Sequence, residues 1–135
     1  IDFSRFSTPT GVGSLSYLIQ TDAVKNYLIP SGNYKENLEW LAYAEEADIL
    51  NVALFGFTAK AWRDENPELA KKNNVRDFAS INELTVLSNL ETHNAQMIRE
   101  GRNKTERFQI LQEIAEYQLN VLKAAEQIKL IEEQT

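Results

Sequence analysis

With 135 residues, 15.4 kDa of mass, 43% hydrophobic and 25% charged residues, the chain has the size and composition of one folded domain, which excludes a disordered segment. A net charge of -6 and a pI of about 4.8 exclude a surface that binds phosphate backbones over its whole extent, although a local basic patch stays open. Cysteine is absent, so there is no disulfide, thiolate metal site or thiol nucleophile, as suits a reducing compartment and a cytoplasmic protein.

No apolar run approaches the roughly 20 residues of a membrane-spanning helix, and no basic stretch leads into an apolar signal core. The expectation is a chain without membrane association. It starts on Ile1 instead of Met, as a processed product or a piece of a longer protein does.

The first elements are read as an N-terminal loop and strand segment over residues 1–20. Thr8-Pro9-Thr10-Gly11-Val12-Gly13 carries turn chemistry and predicts a loop through Ser14. Residues 15–20 alternate, placing Leu15, Tyr17 and Ile19 on one face and Ser16 and Gln20 on the other, a strand signal. Residues 3–6 are its weak hairpin partner.

From residue 21 to 135 the pattern is helical. Thr21-Asp22 predicts a helix start, with a short helix ending near Leu28 before Pro30, Ser31 and Gly32. Asn33 and Glu36 have capping-box spacing and open a longer helix through Phe55, with Gly56 at its left-handed end. Thr58 caps a short helix carrying Trp62, Asn66-Pro67 restarts the chain, and Asn73-Asn74 turns it. Ser80 and Glu83 form the clearest capping box, opening a helix that Gly101 ends; Asn103 and Glu106 repeat the device. The short connection predicts an antiparallel hairpin of the last two helices. In the final helix Ile110, Ile114, Tyr117, Val121, Ala124, Ile128 and Ile131 are spaced alternately by four and three, a heptad seam. The fold class expected is therefore mainly α: a helical bundle with a long C-terminal hairpin and a short N-terminal strand.

Chemistry-bearing clusters give little. Glu45, Glu46 and Asp48 lie on one helix, but the only histidine, His93, has Leu90 where a di-iron bundle needs glutamate, so a solvated or locally paired face is expected. His93 has no Gly-x-Ser-x-Gly serine to activate, and Gly11-Val12-Gly13 lacks the rest of a dinucleotide fingerprint. No catalytic, metal or cofactor site is expected. Arg99, Arg102, Lys104 and Arg107 surround the turn at Gly101 and are the candidates for phosphate contact, diluted by Glu100 and Glu106. Trp62, Arg63, Arg76 and Asp77 are read as loop-organising residues, with Trp62 in the core. The broad apolar face of the last helix makes Ile114, Tyr117, Val121, Ile128 and Ile131 the candidate interface of a homodimer.

Several runs together resemble the region that follows the KilA-N DNA-binding domain in phage and prophage proteins. They are Glu46-Ala47-Asp48-Ile49-Leu50-Asn51-Val52-Ala53-Leu54-Phe55-Gly56, Thr58-Ala59-Lys60-Ala61-Trp62-Arg63-Asp64-Glu65-Asn66-Pro67, Val75-Arg76-Asp77-Phe78-Ala79-Ser80-Ile81, and the stretch from Leu84 through Leu87-Ser88-Asn89-Leu90-Glu91 to Asn94-Ala95. Glu106-Arg107, Ile114-Ala115 and Gln118 complete the likeness, with Thr21-Asp22-Ala23-Val24-Lys25 at its upstream end. Asn73-Asn74 departs from the family's Gly-Asn, a change that asparagine's tolerance of the left-handed region accommodates. The resemblance implies a non-catalytic accessory domain in a bacterial host cell, mediating oligomerisation or binding a phage or host protein. It also implies that DNA contact belongs to a separate domain outside these residues. The alternative is a nucleic-acid-binding module using the basic turn around Gly101.

Overall fold

The computed structural model describes residues 12–32 and 34–134, and among them every regular element is helical. The first helix, α1, spans Val12–Ala23 and continues without a break through a π turn, Val24–Leu28, into a last α turn, Ile29–Ser31. Proline at position 30 has no N–H, and in an α ladder its ring would meet the carbonyl four residues earlier. The preceding turn is widened instead, with the Ile29 N–H donating to the Val24 carbonyl. After a 3-10 turn, Glu36–Leu38, come α2 (Trp40–Phe55), α3 (Ala59–Glu65), two further 3-10 turns (Leu69–Lys71 and Val75–Phe78), α4 (Ile81–Arg99) and α5 (Lys104–Gln134). No described helix is long and apolar enough to cross a membrane.

The caps explain most of the boundaries. Glu83 N–H donates to Ser80 Oγ at 3.1 Å and Ser80 N–H to Glu83 Oε1 at 2.9 Å, so both halves of the predicted box form. Thr58 accepts from Ala61 N–H at 3.1 Å to start α3, and Asn103 accepts from Glu106 N–H at 2.8 Å to start α5. Gly56 (φ 86°) and Gly101 (φ 77°) end α2 and α4 in the left-handed region, where any side chain would be strained.

The N-terminal expectation is corrected. Residues 15–20 form helix, not strand, and their faces are reversed: Ser16 and Gln20 are buried while Leu15 and Ile19 are 63% and 51% exposed. Ser16, Gln20, Ala23 and Val24 recur at helical spacing and face inward, so a period of two that looked like a strand is one reading of a helix whose inner stripe is polar. The helix crosses positions 20 and 21, and Thr21 caps nothing; it sits mid-helix, donating its hydroxyl back to the Leu18 carbonyl. The loop expected through Ser14 is helical from Val12; the expected partner strand at residues 3–6 and the Asn33 cap lie outside the described residues. Asn66 closes α3 instead of opening a new helix, its side chain donating to the Trp62 carbonyl.

Two apolar clusters make the core. Ile49, Leu50, Leu54, Val86, Leu90 and Leu111 join α2, α4 and α5, whereas Ala23, Val24, Ala42, Ala95 and Ile98 join α1, α2 and α4. The α4–α5 hairpin is antiparallel, as three side-chain bonds show: Asn94 with Arg107, Asn89 with Gln118 and Asn82 with Glu126. The last of these marks where α4 begins beside α5, leaving the final eight residues of the longer helix, about 12 Å at 1.5 Å per residue, beyond it.

Candidate functional site: a polar junction inside and an apolar stripe outside

Between the two apolar clusters lies a junction to which four helices each contribute one polar side chain. Arg107 of α5 donates Nη1 to Glu46 Oε1 and to Asn94 Oδ1 (2.8 Å), Nη2 to Glu46 Oε2 (3.2 Å) and Nε to the Arg102 carbonyl (3.1 Å). Asn94 of α4 in turn donates Nδ2 to Glu46 Oε1 at 2.8 Å and to Gln20 Oε1 of α1 at 3.1 Å. Glu46 and Asn94 are wholly excluded from solvent and Arg107 is 1% exposed. Desolvating such a pair costs several kcal/mol per ion, so it persists only because planar guanidinium and carboxylate meet in two places and the remaining polar atoms are bonded.

This corrects two expectations. Glu46 is not on a solvated face, and Arg107 is not available to phosphate; the carboxylate and the guanidinium bury each other. Glu45 and Asp48 stay nearer the surface, Glu45 accepting from Lys104 Nζ at 2.6 Å and from the Tyr34 hydroxyl at 3.3 Å. Burial, reinforced by the Glu45 charge, raises the Tyr34 phenol above its ordinary pKa, and the bond that Lys104 donates to Glu45 raises that of Lys104.

The remaining candidate phosphate cations are also engaged. Arg102 bridges Glu100 (2.8 Å) and Glu106 (2.6 Å), and Arg99 lies over the Tyr27 ring, 5.5 Å from its centroid. With Lys104 on Glu45, three of the four cations around Gly101 are matched to carboxylates, and Arg99 rests on Tyr27.

A second polar site was not legible as a pair. Ser16 of α1 donates to Glu91 Oε1 of α4 at 2.9 Å and shares a 2.7 Å bond with Ser88, while Glu91 Oε2 has no hydrogen-bond partner among the described residues. Burial pushes the Glu91 carboxyl up to about 7, against the opposing pull of Arg76 and the Ser16 bond.

Of the loop-organising residues, Trp62 and Asp77 act within the 65–80 connection. The Trp62 ring lies 5.8 Å from that of Phe78, and Asp77 accepts from Asn74 N–H at 2.8 Å while Asn74 accepts from Arg76 N–H at 2.9 Å. Trp62 is half-buried instead of central, Arg63 is exposed, and half-buried Arg76 acts electrostatically on Glu91.

The candidate interface residues divide. Ile114 is half-buried against the core, whereas Tyr117, Val121, Ile128 and Ile131 are 61%, 51%, 58% and 63% exposed. At about 100° per residue this stripe lies roughly a third of a turn from the face that Leu111, Ala115 and Leu122 present to α2 and α4. Among the described residues the bundle thus covers one face of α5 and leaves the seam from Tyr117 onward exposed. Among the described residues no cluster of His, Asp and Glu could hold a metal ion. Comparison with known proteins returns no matching family model, no matching curated relative and no matching solved structure.

Proposed function

We propose that the chain is a non-catalytic accessory module whose task is association, with two copies joined through the exposed stripe of α5. In the setting implied by its resemblance to KilA-N proteins, it serves a phage or prophage protein in the bacterial cytoplasm whose DNA contacts are made by another domain. One observation carries the reading. Tyr117, Val121, Ala124, Ile128 and Ile131 repeat at heptad spacing on a face that none of the other described helices covers. A helix that only completed a bundle would need apolar residues on its buried side alone. The nucleic-acid alternative is disfavoured because Arg102, Lys104 and Arg107 are all paired with carboxylates.

Light scattering at micromolar concentration tests the proposal. The unsubstituted chain should have the mass of a dimer, and Ile128→Asp or Ile131→Asp should give a folded monomer. A monomeric mass for the unsubstituted chain rules the reading out.

A further inference from the structure

Resting on that reading, we infer that the second copy lies antiparallel on α5, with Tyr117 of each copy packed against Ile128 of the other. Numbering the seam as heptads puts Ile114, Val121 and Ile128 at a positions and Tyr117, Ala124 and Ile131 at d positions. In a parallel pair each residue faces its own copy. Tyr117 would then crowd Tyr117 in one layer, and Ala124 would face Ala124 in the next d layer, leaving a void between two small side chains. Overpacking and cavities both cost stability at interior packing density.

Antiparallel pairing joins a to d and evens the volumes. One register uses all of the exposed seam: Tyr117 meets Ile128 and Val121 meets Ala124, each contact occurring twice about the two-fold axis, while Ile131 reaches the outer edge of half-buried Ile114. The charges agree with this occupant. A chain of net charge -6 can dock on itself only where like charges do not face one another. In this register the outer flank sets the amide of Asn120 against that of Gln127 and Glu113 against Gln134, while Glu116, Lys123, Glu126 and Lys129 point away from the seam. The negative C-terminal end of each helix dipole also lies apart from its counterpart instead of beside it.

The chain has no cysteine, so introduced thiols report the arrangement without background. The double variant Tyr117→Cys/Ile128→Cys should form a covalent dimer on mild oxidation. Each single variant should form roughly tenfold less, because its two thiols are then about 16 Å apart along the axis, well beyond disulfide reach. Covalent dimer from a single variant means a parallel pair and overturns the inference. So does the absence of cross-linking in the double variant while the unsubstituted chain weighs as a dimer, an outcome that leaves the proposed function standing with a different register. A monomeric unsubstituted chain overturns both, and capture of a different protein by the stripe without self-association does the same. Ile114→Cys/Ile131→Cys repeats the test one contact further out, should the first pair weaken the seam.

Discussion

The guanidinium of Arg107 donates to both carboxylate oxygens of Glu46, 61 residues away, and Asn94 bonds to both partners, so three helices are fixed to one another at a point closed to water. Because the pair is buried, its members are worth far more together than apart. Arg107→Ala, which leaves Glu46 charged and unpaired, should cost about 3–5 kcal/mol of unfolding free energy. Glu46→Leu combined with Arg107→Met should cost less than the sum of the two single changes. Urea unfolding of the four proteins measures this; additive losses would show that the two groups do not depend on each other.

Glu91 should make the fold less stable as pH rises. Its carboxyl keeps its proton up to about 7 in the folded chain, against the ordinary glutamate value of 4.5 in the unfolded one. Below the lower value both states are protonated and nothing changes; between the two the unfolded state has released a proton that the folded state retains, so stability falls; above the upper value the full penalty stands. At 1.36 kcal/mol per unit this amounts to about 3 kcal/mol between pH 4.5 and 8. Glu91→Gln should remove that part of the slope, since its amide imitates the protonated carboxyl. A variant whose pH profile matches the unsubstituted chain would rule out Glu91 as its source.

The Ser80 cap is exposed and reciprocal, which isolates its contribution from packing. Ser80→Ala should destabilise the chain by about 1 kcal/mol, while Ser80→Asp should restore most of the loss. Equal losses from both would mean that the capping oxygen is not what matters.

Binding to duplex DNA should be weak, with a Kd of about 0.1 mM or worse at physiological salt, because the chain is acidic and its basic turn is internally paired. Fluorescence anisotropy with a labelled duplex checks it. Submicromolar binding that Arg99→Glu or Arg102→Glu weakens would restore the nucleic-acid reading.

Local rules were enough for α3, α4 and α5, though not for Asn66, which closes α3 where a new helix was expected. Ser80, Asn103, Gly56 and Gly101 act within one turn of themselves, so their spacing in the chain already states what they bond to or which backbone region they occupy. The antiparallel hairpin was legible for the same reason, since a connection as short as that around Gly101 permits little else. The candidate site was half legible. The heptad line in α5 is a repeat and could be seen as one, but repetition does not reveal which part the bundle covers; Ile114 turned out to serve the core while Tyr117 onward stayed outside.

What the sequence determined by itself is thus whatever depends on neighbours three or four residues apart: the helix type, most caps and the seam. Only the tertiary structure decided which face of each helix turns inward, because that depends on partners distant in the chain. The inner stripe of α1 is Ser16 and Gln20 because α4 offers Glu91 and Asn94 to bond them; without that knowledge the apolar Leu15 and Ile19 are the natural choice. Glu46 and Arg107 read as ordinary surface charges for the same reason. A charged side chain is driven to solvent by its own desolvation cost, and only a partner of opposite charge held in place by folding reverses that preference.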